Sequence, residues 1–162
     1  VDISEIIDCC YKELKYIIES KKQEVILDYQ SKKSYVYADF LEIKRVILNL
    51  LSNAINYTNE NGKIIVKTEN NDNNIIVSII DNGKGIPQSD ISELFKKYKS
   101  HAKKFKQIGT GLGLYLSKKI IEEHGGSIFV ESKEGVGSKF SFCLPIVDSL
   151  VRSDNSFIKF CL

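Results

Sequence analysis

Apolar residues recur at two different periods along this chain, and the switches between them divide it into elements. Ile3, Ile6, Ile7, Cys10, Leu14, Ile17 and Ile18 fall at helical spacing, which predicts a first helix running to about Lys21. Asp2 and Glu5 stand three apart at its start and read as a capping box. Glu24–Tyr29 and Ser34–Tyr37 are short runs of β-branched and aromatic residues and predict two strands. Asp39 and Glu42 form a second capping box ahead of a long helix. Its Phe40, Ile43, Val46, Ile47, Leu50, Leu51 and Ala54 make a wide apolar stripe.

The second half shows the same alternation of periods. Lys63–Glu69 and Asn74–Ile80 predict a hairpin around an Asn/Asp turn. Gln88–Lys97 predicts a short helix with Ile91, Leu94 and Phe95 inward, and Tyr98–Ile108, which has no apolar period, a mobile loop. Thr110–His124 predicts another helix, with Leu112, Leu116, Ile120 and Ile121 on its apolar side, stopped by Gly125-Gly126. Ser127–Ser132 and Ser138–Pro145 predict a last hairpin, with Phe140, Phe142, Leu144 and Ile146 on one face. Strands come in adjacent pairs and helices in groups. That order predicts an α+β fold, a two-layer α/β sandwich whose mixed, mostly antiparallel sheet carries helices on one face. One domain covers residues 1–146, and residues 147–162 form a less periodic tail with no assigned role.

Composition narrows the class only slightly. With 162 residues and 43% apolar content, the chain can bury one core. A net charge of +2 gives no reason to expect nucleic acid. No apolar run reaches the roughly 20 residues of a membrane span, so no membrane contact is expected of this domain. Cys9, Cys10, Cys143 and Cys161 lack the paired spacing of a zinc site and are expected to be reduced thiols in a cytoplasmic protein. The chain has no Met, even at position 1, which suggests a piece of a longer protein.

The chemistry concentrates where glycines punctuate the pattern. Asp81 ends an apolar strand and is followed by Asn82, Gly83, Lys84 and Gly85. A carboxylate buried there needs a donor, and an exocyclic amine such as adenine N6 supplies one. A guanine would present a carbonyl and be rejected. The glycines are expected to let a flat base approach the backbone. Gly109-Thr110-Gly111-Leu112-Gly113-Leu114 opens the next long helix, where free N–H groups and the helix dipole favour phosphate. Six lysines between Lys96 and Lys106, with no acid among them, adjoin it. On the earlier long helix Asn49, Asn53 and Asn56 share one face. The amide oxygen of Asn53 suits Mg²⁺ alongside phosphate oxygens and water.

Taken together these stretches resemble the sensor histidine kinases. Asn49–Thr58 is similar to their N box, Asp81–Ile86 to the G1 box, Leu94–Tyr98 to the F box and Gly109–Leu114 to the G2 box. Glu122–Gly126, Glu131-Ser132, Gly135–Phe140 and Leu144-Pro145 are similar to the family's ending. Four boxes in order are far more specific than one. The resemblance implies the Bergerat ATP-binding fold of the GHKL superfamily, with ATP and Mg²⁺ as ligands. It implies that Asn53 ligates Mg²⁺, that Asp81 meets adenine N6, and that Gly83, Gly85 and Ile86 shape the base site. It also implies that Asn49 lines the phosphate region, with Asn49 and Asn53 in the catalytic set, and that Tyr57 lies at the nucleotide. Gly109, Thr110, Gly111, Leu112, Gly113 and Leu114 would form the hinge and phosphate contacts of a lid.

GHKL hydrolases place a Glu general base four residues before the metal Asn. Asn49 stands there and takes no proton, which favours transfer to an imidazole over hydrolysis. The chain departs from the pattern at Asn56, where many relatives carry Lys or Arg, and at Ser100, where many carry Arg. Lys99, Lys103 or Lys104 would take their place. The implied partners are an upstream dimerisation and histidine-bearing domain and a response regulator. A GHKL-type serine kinase and a catalytically impaired nucleotide-binding module are the alternatives. His101 lacks the family's acceptor surroundings, and His124, at a helix C-terminus where a cation complements the dipole, is expected to be structural.

Overall fold

The computed structural model describes residues 1–97 and 112–147. The predicted lid loop and residues 148–162 of the tail lie outside the described residues. The first helix, α1, spans Ile3–Ser20 and starts where the Asp2 carboxylate accepts the Ser4 N–H. Strand β1 is Glu24–Tyr29. Helix α2 spans Phe40–Tyr57 and starts where Asp39 accepts the Glu42 N–H at 2.9 Å. Strands β2, Lys63–Asn71, and β3, Asn74–Asp81, form the expected hairpin. Helix α3 is Gln88–Ile91, α4 is Gly113–Glu123, and strands β4, Ser127–Lys133, and β5, Gly137–Pro145, close the fold.

Three sequence-based boundaries shift. Tyr35 and Val36 make single bridges, to Asp2 and Ile146, instead of a strand in the sheet. The segment is tied down at one end of the sheet, where Val147 N–H donates to Tyr35 O. Helix α3 is one turn long and Leu94 and Phe95 follow it in turns, although Leu94 is buried as its apolar character requires. Helix α4 begins at Gly113; Thr110 lies outside the described residues.

The sheet order is β1-β2-β3-β5-β4, with β1 parallel to β2 and the other pairs antiparallel. Register sorts the two faces. One row runs Leu27, Val66, Ile79, Phe140, Val130 and joins the core with Ile3, Ile7, Ile43, Leu50, Leu51 and Ile121 from the helices. The next row runs Asp28, Lys67, Ser78, Ser141, Phe129 and turns to the other face. The two periods read from the sequence meet here, one face of each strand against one stripe of each helix. Helix α2 lies in the middle of the helical layer, packed on α1 and on α4. Its polar stripe therefore runs along the seam with α4.

Candidate active site

The candidate residues fall in two groups, one around Asp81 where β3 and α2 end, the other around Asn49 where α2 meets the start of α4. Asp81 is the last residue of β3 and pairs with Ile64 on β2 and Ser138 on β5. It is only 7% exposed. Its carboxylate accepts the Gly83 N–H at 2.8 Å and a backbone N–H of Ser138. Burial pushes its pKa above the usual value, and the two backbone donors offset this only in part. The result is a buried carboxylate oriented by the chain itself.

The glycines around it are closely approached by protein backbone. A Cβ on Gly83 would lie 2.4 Å from Tyr57 O and 2.8 Å from Asp81 Oδ1. One on Gly85 would lie 2.0 Å from Lys133 O, and φ there is +69°. One on Gly137 would lie 2.0 Å from Asp81 O. The missing side chains make room for protein backbone: β3, the end of α2 and the β4–β5 turn close on the loop that follows Asp81. Gly135 N–H donates to Lys84 O at 2.6 Å, and Ile86 N–H donates to Ser132 Oγ at 2.8 Å. Ser132 in turn donates to Gly137 O and meets Ser138 Oγ at 2.8 Å. Ser132, Gly137 and Ser138 lie in the stretches that resemble the family's ending, and the sequence alone gives them no part in the site. Small residues opposite a glycine-rich loop were the available signal.

Tyr57 ends α2 beside this loop. Lys84 Nζ stands 5.2 Å from the centre of its ring, a cation–π distance, and the Lys84 N–H reaches Tyr57 O. Asn49 and Asn53 sit half-buried on successive turns of α2, and Asn56 is exposed. The Asn49 amide donates to Ser117 Oγ of α4 at 3.0 Å. Leu112 and Gly113 open α4, which has no side-chain cap at its N-terminus. Arg45, Asn49, Leu112, Gly113, Leu116, Ser117 and Ile120 line a cavity of about 330 Å³ along the seam. Ile86 and Leu114 pack partly buried against the core. Lys99, Gly109, Thr110 and Gly111 lie outside the described residues.

Among the described residues no cluster of three His, Cys, Asp or Glu side chains could hold a metal. Asn53 offers an amide oxygen, and a single such donor would leave the rest of a metal's shell to ligand and water. That donor set fits Mg²⁺ arriving with phosphates and does not fit a protein-caged ion. His124 joins two helix ends. Its Nε2 accepts the Asp39 N–H at 3.2 Å and its Nδ1 lies 2.7 Å from Ile120 O. These contacts tie the end of α4 to the start of α2.

Comparison with known proteins agrees with this geometry. Residues 38–148 match the family described as histidine kinase-, DNA gyrase B-, and HSP90-like ATPase, and the chain belongs to that family. Within it the likeness is to histidine kinases. The adaptive-response sensory kinase SasA of Synechococcus elongatus is 37% identical over 128 residues, covering 78% of this chain and 33% of SasA. The sensor histidine kinase WalK of Bacillus subtilis is 34% identical over 126 residues, covering 75% of this chain and 21% of WalK. The nucleotide-free catalytic domain of histidine kinase ThkA superposes with a TM-score of 0.79 at 33% identity, over 90% of this chain and 93% of that domain. The chain thus spans a third or less of these two curated relatives and nearly all of a histidine kinase catalytic domain.

Proposed function

We propose that this chain binds Mg-ATP and transfers the γ-phosphoryl group to a histidine carried by a separate dimerisation domain, as the catalytic part of a cytoplasmic two-component signalling kinase. Buried Asp81, aimed by two backbone N–H groups, is the observation that carries this reading. A carboxylate so placed accepts a hydrogen bond from adenine N6 and disfavours guanine. Asn53, one turn from the α2–α4 seam, would supply the amide oxygen to Mg²⁺, which neutralises phosphate charge when bound. Tyr57 and Ile86 would border the base. Gly109, Thr110, Gly111, Leu112 and Leu114, with Lys99, would face the phosphates. Asn49, where the hydrolases place an acid, leaves no general base for water and favours an imidazole acceptor. Histidine kinase ThkA, 30% identical, is known in complex with its response regulator protein TrrA, and this supports a response regulator as the next partner.

Calorimetry with ADP and Mg²⁺ tests the pocket. Asp81→Asn is nearly isosteric and should abolish adenine-nucleotide binding with the fold intact; unchanged affinity would refute the adenine role. Asn53→Ala should weaken binding mainly when Mg²⁺ is present, and equal losses with and without metal would count against ligation. Incubation with ATP and a helical histidine-bearing domain should label that domain. Label on a serine-bearing partner instead, or on neither, would overturn the proposed reaction.

A further inference from the structure

Asn49 and Ser117 are tied across the α2–α4 seam in a way that the reading of the pocket does not use. Ser117 is 2% exposed, and its hydroxyl accepts from the Asn49 amide at 3.0 Å. On the other side of the same amide, a Cβ on Gly113 would fall 2.3 Å from Asn49 Oδ1 and 3.0 Å from its Cγ. Gly113 is the first residue of α4. The Asn49 side chain is thus seated between the first turn of α4 and a serine one turn further on. Any side chain at Gly113, or an apolar one at Ser117, would unseat it.

We propose that Asn49 is a positioning residue and Ser117 its partner: together they register the N-terminus of α4 against Asn53, and Asn49 does not itself touch phosphate. This rests on the reading of the site as an Mg-nucleotide pocket. Asn49 and Asn53 are four apart on one rigid helix, so they lie on one face. A pin at Asn49 therefore fixes where the uncapped N–H groups of the first turn of α4 lie relative to the metal ligand. Those N–H groups and the metal act on the same phosphates. An outer partner that orients such groups is worth roughly 10–100-fold in affinity. The adenine end is referenced separately, through Gly83, Gly137 and Ser138. Loosening the pin should therefore cost the phosphate end alone.

The test compares adenosine with Mg-ADP by calorimetry for the intact chain, Ser117→Ala, Asn49→Ala and the double variant. All three variants should bind adenosine as the parent does and lose about tenfold for Mg-ADP. The losses should not add, because one link is broken in each case. Gly113→Ala should behave like Ser117→Ala in the parent and add nothing in the Asn49→Ala background. A much larger Mg-ADP loss for Asn49→Ala than for Ser117→Ala would overturn the proposal, since it would mean direct contact with phosphate. Equal weakening of adenosine and Mg-ADP would overturn it too, as general loosening of the fold. Failure of the pocket reading shows separately: the parent would bind neither ligand, or Asp81→Asn would bind both unchanged.

Discussion

Asp81 shows how a single carboxyl can be tuned by burial. Its folded pKa lies above the unfolded value of 3.8 because burial penalises the charge. The folded state therefore binds the proton more tightly, and this group's contribution to stability falls as pH rises from about 3.8 through the raised value. Recognition of an amine runs the other way, since only the carboxylate accepts from it. ADP affinity should drop as pH is lowered through the raised pKa, by about tenfold per pH unit below it. Titration calorimetry from pH 7 downward checks this; a profile still flat at pH 3.8, where a carboxyl with a raised pKa is mostly protonated, contradicts it. Gly85 carries a different residue-scale constraint. Gly85→Ala meets both a positive φ and the Lys133 carbonyl and should cost about 3 kcal/mol in urea unfolding. Gly125→Ala meets a φ of +76° with its nearest neighbour at 3.7 Å, and should cost only about 1 kcal/mol. Cys10 is buried and its thiol is pushed up to about 12, so it should resist alkylation at pH 8 until the chain unfolds. The sequence disclosed Asp81 because a carboxylate after an apolar run is conspicuous. It did not disclose what the glycines face, since close approach of distant backbone leaves no local pattern.

At the scale of elements, α2 is the part whose start the sequence predicted best and whose end it explained least. Asp39 and Glu42 announce the start. The end carries no glycine stop; the carbonyls of Ile55 and Thr58 are taken instead by Lys21 and Gln23, from the link between α1 and β1. Gln23 is buried, and burial lowers the pKa of the Lys21 ammonium. Gln23→Leu should cost about 1–2 kcal/mol, because it strips a buried donor from these carbonyls. The loss should appear as faster hydrogen exchange in the last turn of α2. Such a cap is invisible beforehand, since it joins residues over thirty positions apart. Helix α3 failed in the opposite sense. Its apolar residues promised three turns, and Pro87 starts only one before the chain turns to bury Leu94.

For the whole molecule, periodicity gave the layers and left the topology open. Alternating strands and striped helices predict a sheet covered on one side. The parallel β1–β2 pair, and the placing of β5 between β3 and β4, depend on which edges meet. The proposed ligand should act on the molecule as a unit. Mg-ADP at a hundred times its Kd should raise stability by about 2.7 kcal/mol, read as an upward shift in Tm. The shift should vanish in Asp81→Asn, and a shift retained there would place the nucleotide elsewhere.

The junction of Asp81 with Gly137 and Ser138 has a consequence for synthesis. A ribosome makes the carboxylate long before it makes the strand that aims it. Until β5 has emerged and slotted into the sheet, a nascent chain has the acid but not its aim, and on the proposed adenine role should gain no hold on ATP.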